Sequence, residues 1–346
     1  METTTESPPP PTNLKSPPAP SGAVHWAGWL LRRREAGIFL ALLALMGLIT
    51  LYKHEFADQK NLYLVCRQVA YIAIVALGVF FVILTSGIDL SIGATVSLAG
   101  VMCGWAMSMA PPKFLPCLAL APVLAIGLGM FVGALVGAFN AGVVSYLGVT
   151  PFIVTLGSMG MARGIVLVLT RGETIMGVPE SYIRFGVADI LGVPFPVVVL
   201  LLVAITAHIV LTYTAFGRRV YAVGGNEEAT RLSGINVKKI KCLAYIISGV
   251  LSSITGILYV ARFRSAQANA GLGMEMDAIA AAVIGGTSLM GGEGSVIGVL
   301  IGAMVMGVIR NGLVLMDISS YWQDFIIGAI IVLAAILDKL RTKRRV

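Results

Sequence analysis

Ten apolar runs, separated by short polar breaks, fill the chain between Ala36 and Leu337. They fall near 36–52, 65–84, 91–109, 116–138, 151–170, 194–214, 243–261, 278–290, 296–315 and 321–337. About 20 apolar residues cross a hydrocarbon core as a helix. In lipid every backbone polar group must bond internally, which leaves helices or closed barrels. These runs are continuous and do not alternate, so the pattern predicts helices. The expected fold class is an all-α polytopic membrane protein with about ten transmembrane helices. The eighth run has only 13 residues. At 1.5 Å per residue it covers about 20 Å of a core about 30 Å thick. It must be tilted, extended past its Gly-rich end, or broken.

Composition sharpens this picture. The chain is 57% hydrophobic and 12% charged, about half the charge of a soluble domain. Residues 1–35 form a Pro-rich tail, with Pro8 to Pro11 consecutive and Arg32, Arg33 and Arg34 at its end. Such a composition buries no core, so a disordered tail is expected. The first run ends in Lys53-His54-Glu55 without a small-residue cleavage site, so it reads as an uncleaved span. Residues 36–337 are then the membrane domain and 338–346 a second basic tail.

The net charge of +8 points to membrane orientation, not to nucleic acid, because Lys and Arg sit in the tails and loops. With the N-terminus inside and ten crossings, inside segments hold 15 Lys and Arg and outside segments hold 7. Both termini are therefore expected in the cytoplasm. The cysteines at 66, 103, 117 and 242 show no CxxC spacing, which predicts neither a disulfide framework nor a metal site.

Candidate chemistry is sparse. There is no GxxxxGK[ST], no HExxH and no GxSxG. No His, Ser or carboxylate cluster converges within the spans, so the chain reads as a non-enzyme. If ATP drives transport, the ATPase is another polypeptide. Polar residues inside spans are costly and often functional. Asn140, Arg163 and Asn311 are the candidates for a substrate pathway, each with a structural hydrogen bond as the alternative. Gly129, Gly133 and Gly137 share one helical face, and the pattern recurs at Gly160/Gly164 and Gly298/Gly302. Small faces of this kind let helices approach closely.

One insert stands apart. Residues 216–241 read FGRRVYAVGGNEEATRLSGINVKKIK, the longest strongly charged break between apolar runs. Such a segment must lie in water, where a cytosolic partner can reach it. An internal repeat is also visible. Thr85-Ser86 is followed by Asp89 and Ser91, and Thr287-Ser288 by Glu293 and Ser295. Each group opens the next span.

The insert resembles the cytoplasmic coupling loop of ABC importer permeases, whose signature is Glu-Ala-Ala, three residues, then Gly. Glu228-Ala229-Thr230 and Gly234 fit it, with Thr in the third place and without the closing Leu-Pro. GRRVYAVGGNEEATRLSGI, TSGIDLSIG at 85–93 and IGGTSLMGGEGSVIGVLIGA at 284–303 resemble the monosaccharide branch, the ribose, xylose, arabinose and autoinducer-2 type. The resemblance covers about 36–340. It implies an ABC importer permease fold in the cell inner membrane and a pathway formed by two copies. It further implies a cytosolic ATPase that carries the ATP, so that this chain needs no cofactor, and an extracytoplasmic sugar-binding protein. It assigns the ATPase contact to Gly224, Gly225, Asn226, Glu227, Glu228, Ala229 and Gly234. The alternatives are a branched-chain amino-acid permease of the same superfamily and a cation-coupled secondary carrier.

Overall fold

The computed structural model describes residues 34–108 and 120–343. Of the two tails expected from the sequence, residues 1–33 and 344–346 lie outside them, and residues 338–343 continue the last helix rather than forming a separate tail. The first helices are α1 (Arg34–Tyr52), α2 (Gln59–Leu84), α3 (Ile92–Met107), α4 (Pro122–Tyr146) and α5 (Pro151–Thr170). A short α6 (Glu180–Val187) and a hairpin of β1 (Asp189–Ile190) and β2 (Val193–Pro194) lead into α7 (Phe195–Tyr213). Then come α8 (Ala215–Gly225), α9 (Glu227–Leu232), α10 (Val237–Phe263), α11 (Met274–Ile284), α12 (Val296–Leu315) and α13 (Ser320–Lys343). Each of the ten apolar runs has become one helix. Seven are long and apolar enough to cross a membrane, while Ile92–Met107 and Ser320–Leu333 are shorter apolar segments. The fold is an all-α polytopic membrane protein.

Two ends can be told apart. The basic end carries α8, α9 and the first turn of α10, with Arg218, Arg219, Arg231, Lys238, Lys239 and Lys241. The hairpin end carries α6 and the β-hairpin, which Tyr63 on α2 meets through Asp189. The start of α1 lies at the basic end, because Ser295 donates to Glu35 Oε1 at 3.0 Å.

A central helix organises the bundle. In α2, 89% of the most apolar window is buried, against 11% in α1, 22% in α4 and 28% in α5 and α7. Around α2 pack α10, α12, α11 and α7, and α4 and α3 pack on α10. The peripheral helices turn large apolar side chains outward, among them Leu51, Val123 and Val168. Lipid tails are as apolar as these side chains, so association depends on close packing and hydrogen bonds. The Gly129/Gly133/Gly137 face supplies the close packing. It lies on α10, where a Cβ at Gly133 would overlap the Gly249 carbonyl oxygen and one at Gly137 that of Tyr245. Gly298 and Gly302 do the same against Gly285 and Ala281. By contrast, nothing lies within 4 Å of a Cβ built on Gly160 or Gly164.

The short eighth run is a broken crossing. α11 has 11 residues, about 16 Å of helix. The rest of the depth is covered by the irregular stretch 264–273, which runs down α3. Ala266 exchanges backbone hydrogen bonds with Ile175, both 2.9 Å. Ser97 Oγ donates to the Ala268 carbonyl at 2.7 Å, and Gly271 lies against Gly93. Non-helical backbone at membrane depth is tolerated where protein surrounds it or where it lines a cavity.

Candidate ATPase-coupling site

Three caps shape the basic end. The hydroxyl of Thr214 accepts from Gly217 N at 3.2 Å and opens α8. Asn226 Oδ1 accepts from Ala229 N at 2.9 Å and opens α9, and Asn236 Oδ1 accepts from Lys239 N at 3.1 Å and opens α10. Each satisfies one of the free N–H groups that a helix start leaves. Between α9 and α10 the chain turns at Gly234 with φ +78, a left-handed conformation that glycine adopts without steric penalty. The charged insert is therefore two short helices and a glycine turn, and its last residues, 237–241, belong to α10.

α8 is anchored and α9 is presented. Gly217, Val220 and Val223 are buried, and Tyr221 donates to the Gly294 carbonyl at 2.9 Å. Burial pushes the Tyr221 phenol above its ordinary pKa, so it remains a neutral donor. At Gly224 the backbone is pinched: a Cβ there would overlap the Leu84 carbonyl oxygen and the Gly292 amide. Gly225, Asn226, Glu227, Glu228 and Ala229 follow directly and are exposed. Glu228 pairs with Arg231 and Glu227 with Lys241, each at 2.6 Å. The Glu228 contact holds the Arg231 guanidinium in its charged form. Leu232, 77% exposed at the end of α9, completes the surface. The sequence reading passed over it because one leucine in a charged insert gives no signal.

The two Thr-Ser groups of the internal repeat meet beneath this surface. Ser86 Oγ donates to the Met290 carbonyl at 2.7 Å, and Gly292 N donates to the Leu84 carbonyl at 3.0 Å. Ser86 has φ 60, so the first turn is tight. The chain then climbs back into the bundle. Asp89 Oδ1 accepts from Ser91 N at 3.0 Å and Ser91 Oγ at 2.6 Å, and Asp89 Oδ2 from Ser248 Oγ at 2.8 Å.

The three pathway candidates are not brought together. Asn140 is fully buried on α4 and donates to Ser91 Oγ at 2.9 Å, with its Oδ1 unpartnered. Asn311 on α12 exchanges amide hydrogen bonds of 2.8 and 3.0 Å with Asn61 on α2. Arg163 on α5 donates through Nη1 to the Ala268 and Ala270 carbonyls, at 3.3 and 3.1 Å. Arg310, also inside a span, holds Asp277 with two bonds of 2.7 and 2.9 Å.

The family model "Branched-chain amino acid transport system / permease component" matches residues 61–335. The chain belongs to this permease family. Its relatives place it in the monosaccharide ABC importer branch. It is 42% identical over 314 residues to the ribose import permease protein of Escherichia coli (strain K12), covering 90% of this chain and 94% of that one. It is 38% identical over 322 residues to the ribose import permease protein of Bacillus subtilis (strain 168), covering 92% and 96%. It is 35% identical over 333 residues to the galactose/methyl galactoside import permease protein of Escherichia coli (strain K12), covering 93% and 99%. No solved structure matches it.

Proposed function

We propose that this chain is the membrane-spanning subunit of an ATP-driven importer of ribose or a related monosaccharide. The observation that carries the reading is the junction at Gly224. There α8, which leads directly into the exposed and charge-rich α9, is pinned against the end of the central helix and the 287–295 turn. A cytosolic ATPase that seats on Gly225 to Ala229, with Leu232 and Gly234 at the edge, would push on α8. The push would pass to α2 through Leu84 and to α12 through Gly292 and Gly294. Coupling needs a bistable element that both sites bias. The connected turns 85–91 and 287–295, together with α7 and α10, are that element.

On this reading the chain does no covalent chemistry and binds no cofactor, and ATP is held by the ATPase. Two copies form the pathway, and an extracytoplasmic binding protein delivers the sugar at the hairpin end. The basic end and both tails, 1–35 and 338–346, face the cytoplasm. Asn140 and Asn311 pin helices together, and Arg163 faces the pathway. Ribose is favoured because the ribose permeases match at 42% and 38%, above the galactose permease at 35%. The family description names branched-chain amino acids, so leucine is the competitor to test. The chain, purified with the ATPase and binding protein encoded beside it, should retain both. Its ATP hydrolysis should rise severalfold with ribose-loaded binding protein and not with leucine. A complex indifferent to sugar and stimulated by leucine would overturn the substrate assignment.

A further inference from the structure

Two charged side chains at membrane depth are handled in two different ways. Asp277 is buried and is gripped by Arg310 through two hydrogen bonds. Glu275, two residues earlier, projects about 200° around the same helix. No ion pair reaches it among the described residues, and its Oε2 is buried without a partner, against Gly93. Glu275 lies nine residues before Ile284, about 14 Å from the basic end of α11. Above it, toward the hairpin end, runs the irregular stretch 264–273. Its Gln267 is half-buried and its Asn269 exposed, and neither makes a side-chain hydrogen bond among the described residues. Arg163 closes the row from α5. Both of its bonds use Nη1, which leaves Nε and Nη2 free to donate elsewhere.

Depth makes this row informative. Ser97, which holds Ala268, lies ten residues below the hairpin-end terminus of α3, about 15 Å in. A guanidinium, a carboxylate and two amides at such depth do not face lipid. Ionisable groups inside a membrane face the bundle interior or a water-filled cavity. None of the four is enclosed as Asp277 is: Arg163, Gln267 and Glu275 are half-buried and Asn269 is exposed in the single chain, which fits the wall of a cavity better than a sealed interior. We propose that Arg163, Gln267, Asn269 and Glu275 line the hairpin-side half of the translocation pathway and contact the passing sugar. The proposal rests on the permease reading above. The chemistry fits a polyhydroxylated neutral solute. Sugar hydroxyls donate to the carboxylate, accept from the guanidinium, and do both with the amides. Single contacts of this kind are weak enough to release the solute. Gly160 and Gly164 flank Arg163 on one side of α5, and nothing in the chain lies within 4 Å of a Cβ built on either.

The test is thiol accessibility in the whole complex. All four cysteines are first replaced, since Cys66 is exposed. Then N269C, Q267C and I165C are made singly and treated from the hairpin side with a membrane-impermeant sulfonated maleimide. Ile165 is exposed on α5 two residues from Arg163, about 200° around the helix, and serves as the lipid-facing control. N269C and Q267C should label at least tenfold faster than I165C, and labelling of N269C should change severalfold between nucleotide-free and ATP-bound complex. E275Q should assemble normally and lose most of the maximal uptake rate. An N269C that stays unlabelled in every nucleotide state, or that instead cross-links between copies without labelling, would overturn the proposal, as would parental uptake by E275Q. Labelling needs no knowledge of the solute. A labelled N269C in a complex that moves no ribose would sink the substrate reading and keep the pathway. An unlabelled N269C in a ribose-importing complex would sink the pathway alone.

Discussion

The Ser86 hydroxyl donates to the Met290 carbonyl across 2.7 Å and joins two turns 204 residues apart in sequence. Each turn ends a descending segment and starts the next span. Each also touches α8, through Gly224 and Tyr221. The exposed charged segment that follows α8 is thus tied to both turns at once.

Gly224→Ala should damage this junction. The added Cβ meets backbone atoms of Leu84 and Gly292, which cannot swing away as a side-chain tip can. Overpacking of this kind costs about 1–3 kcal/mol. Gly225→Ala meets nothing within 4 Å and should leave the melting temperature of the detergent-purified protein unchanged. Equal melting curves for the two variants would contradict the pinch.

Glu228→Arg and Gly234→Val should leave the bundle folded. Glu228 and Arg231 are both largely exposed, and such pairs add little stability. Valine at φ +78 is strained by about 1–2 kcal/mol, but only in the turn. Both variants should accumulate in the membrane and lose most ATPase in a pull-down. Gly234→Asn, which tolerates left-handed backbone better, should recover part of it.

The glycine faces should differ sharply. Gly133→Leu would force α4 off α10 and should prevent accumulation of folded protein. Gly160→Leu projects into open space within one chain and should fold. Its effect, if two copies meet there, will show as altered dimer content by crosslinking.

Removing one partner of the Asp277–Arg310 pair strands a buried charge, at about 3–5 kcal/mol. Arg310→Met should therefore destabilise strongly, and Asp277→Leu with Arg310→Met should recover much of the loss. A double variant as unstable as the sum of the singles would show that the pair does not act as a unit.

Much of the fold was legible because lipid leaves the backbone few options. All ten apolar runs became helices, and α5 and α12 match their expected limits residue for residue. The break in the eighth crossing was less so. SAQANAGLG reads as an ordinary polar loop, and only packing on α3 carries it to membrane depth. The start of α2 was missed by six residues because Gln59, Lys60 and Asn61 look like loop chemistry. Asn61 is helical here, since Asn311 satisfies its amide. The family motifs at 85–93, 216–241 and 284–303 were legible as sequence, but their convergence was not, because Leu84, Gly224 and Gly292 meet only in three dimensions. The pathway candidates were chosen for polarity inside spans. That criterion gathered residues that the fold keeps apart, since Asn140 bonds to Ser91, Asn311 to Asn61 and Arg163 to the Ala268 and Ala270 carbonyls, and it gave no weight to Gln267, Asn269 and Glu275, which lie outside helical runs or at their edge.

Uptake of labelled ribose into proteoliposomes tests the central claim most directly. The chain would be reconstituted with its ATPase inside and its binding protein outside. The account predicts accumulation that requires ATP and is lost when either partner is omitted or when Glu228→Arg is introduced. Accumulation by the chain alone, driven by an ion gradient and unaffected by that substitution, would contradict it.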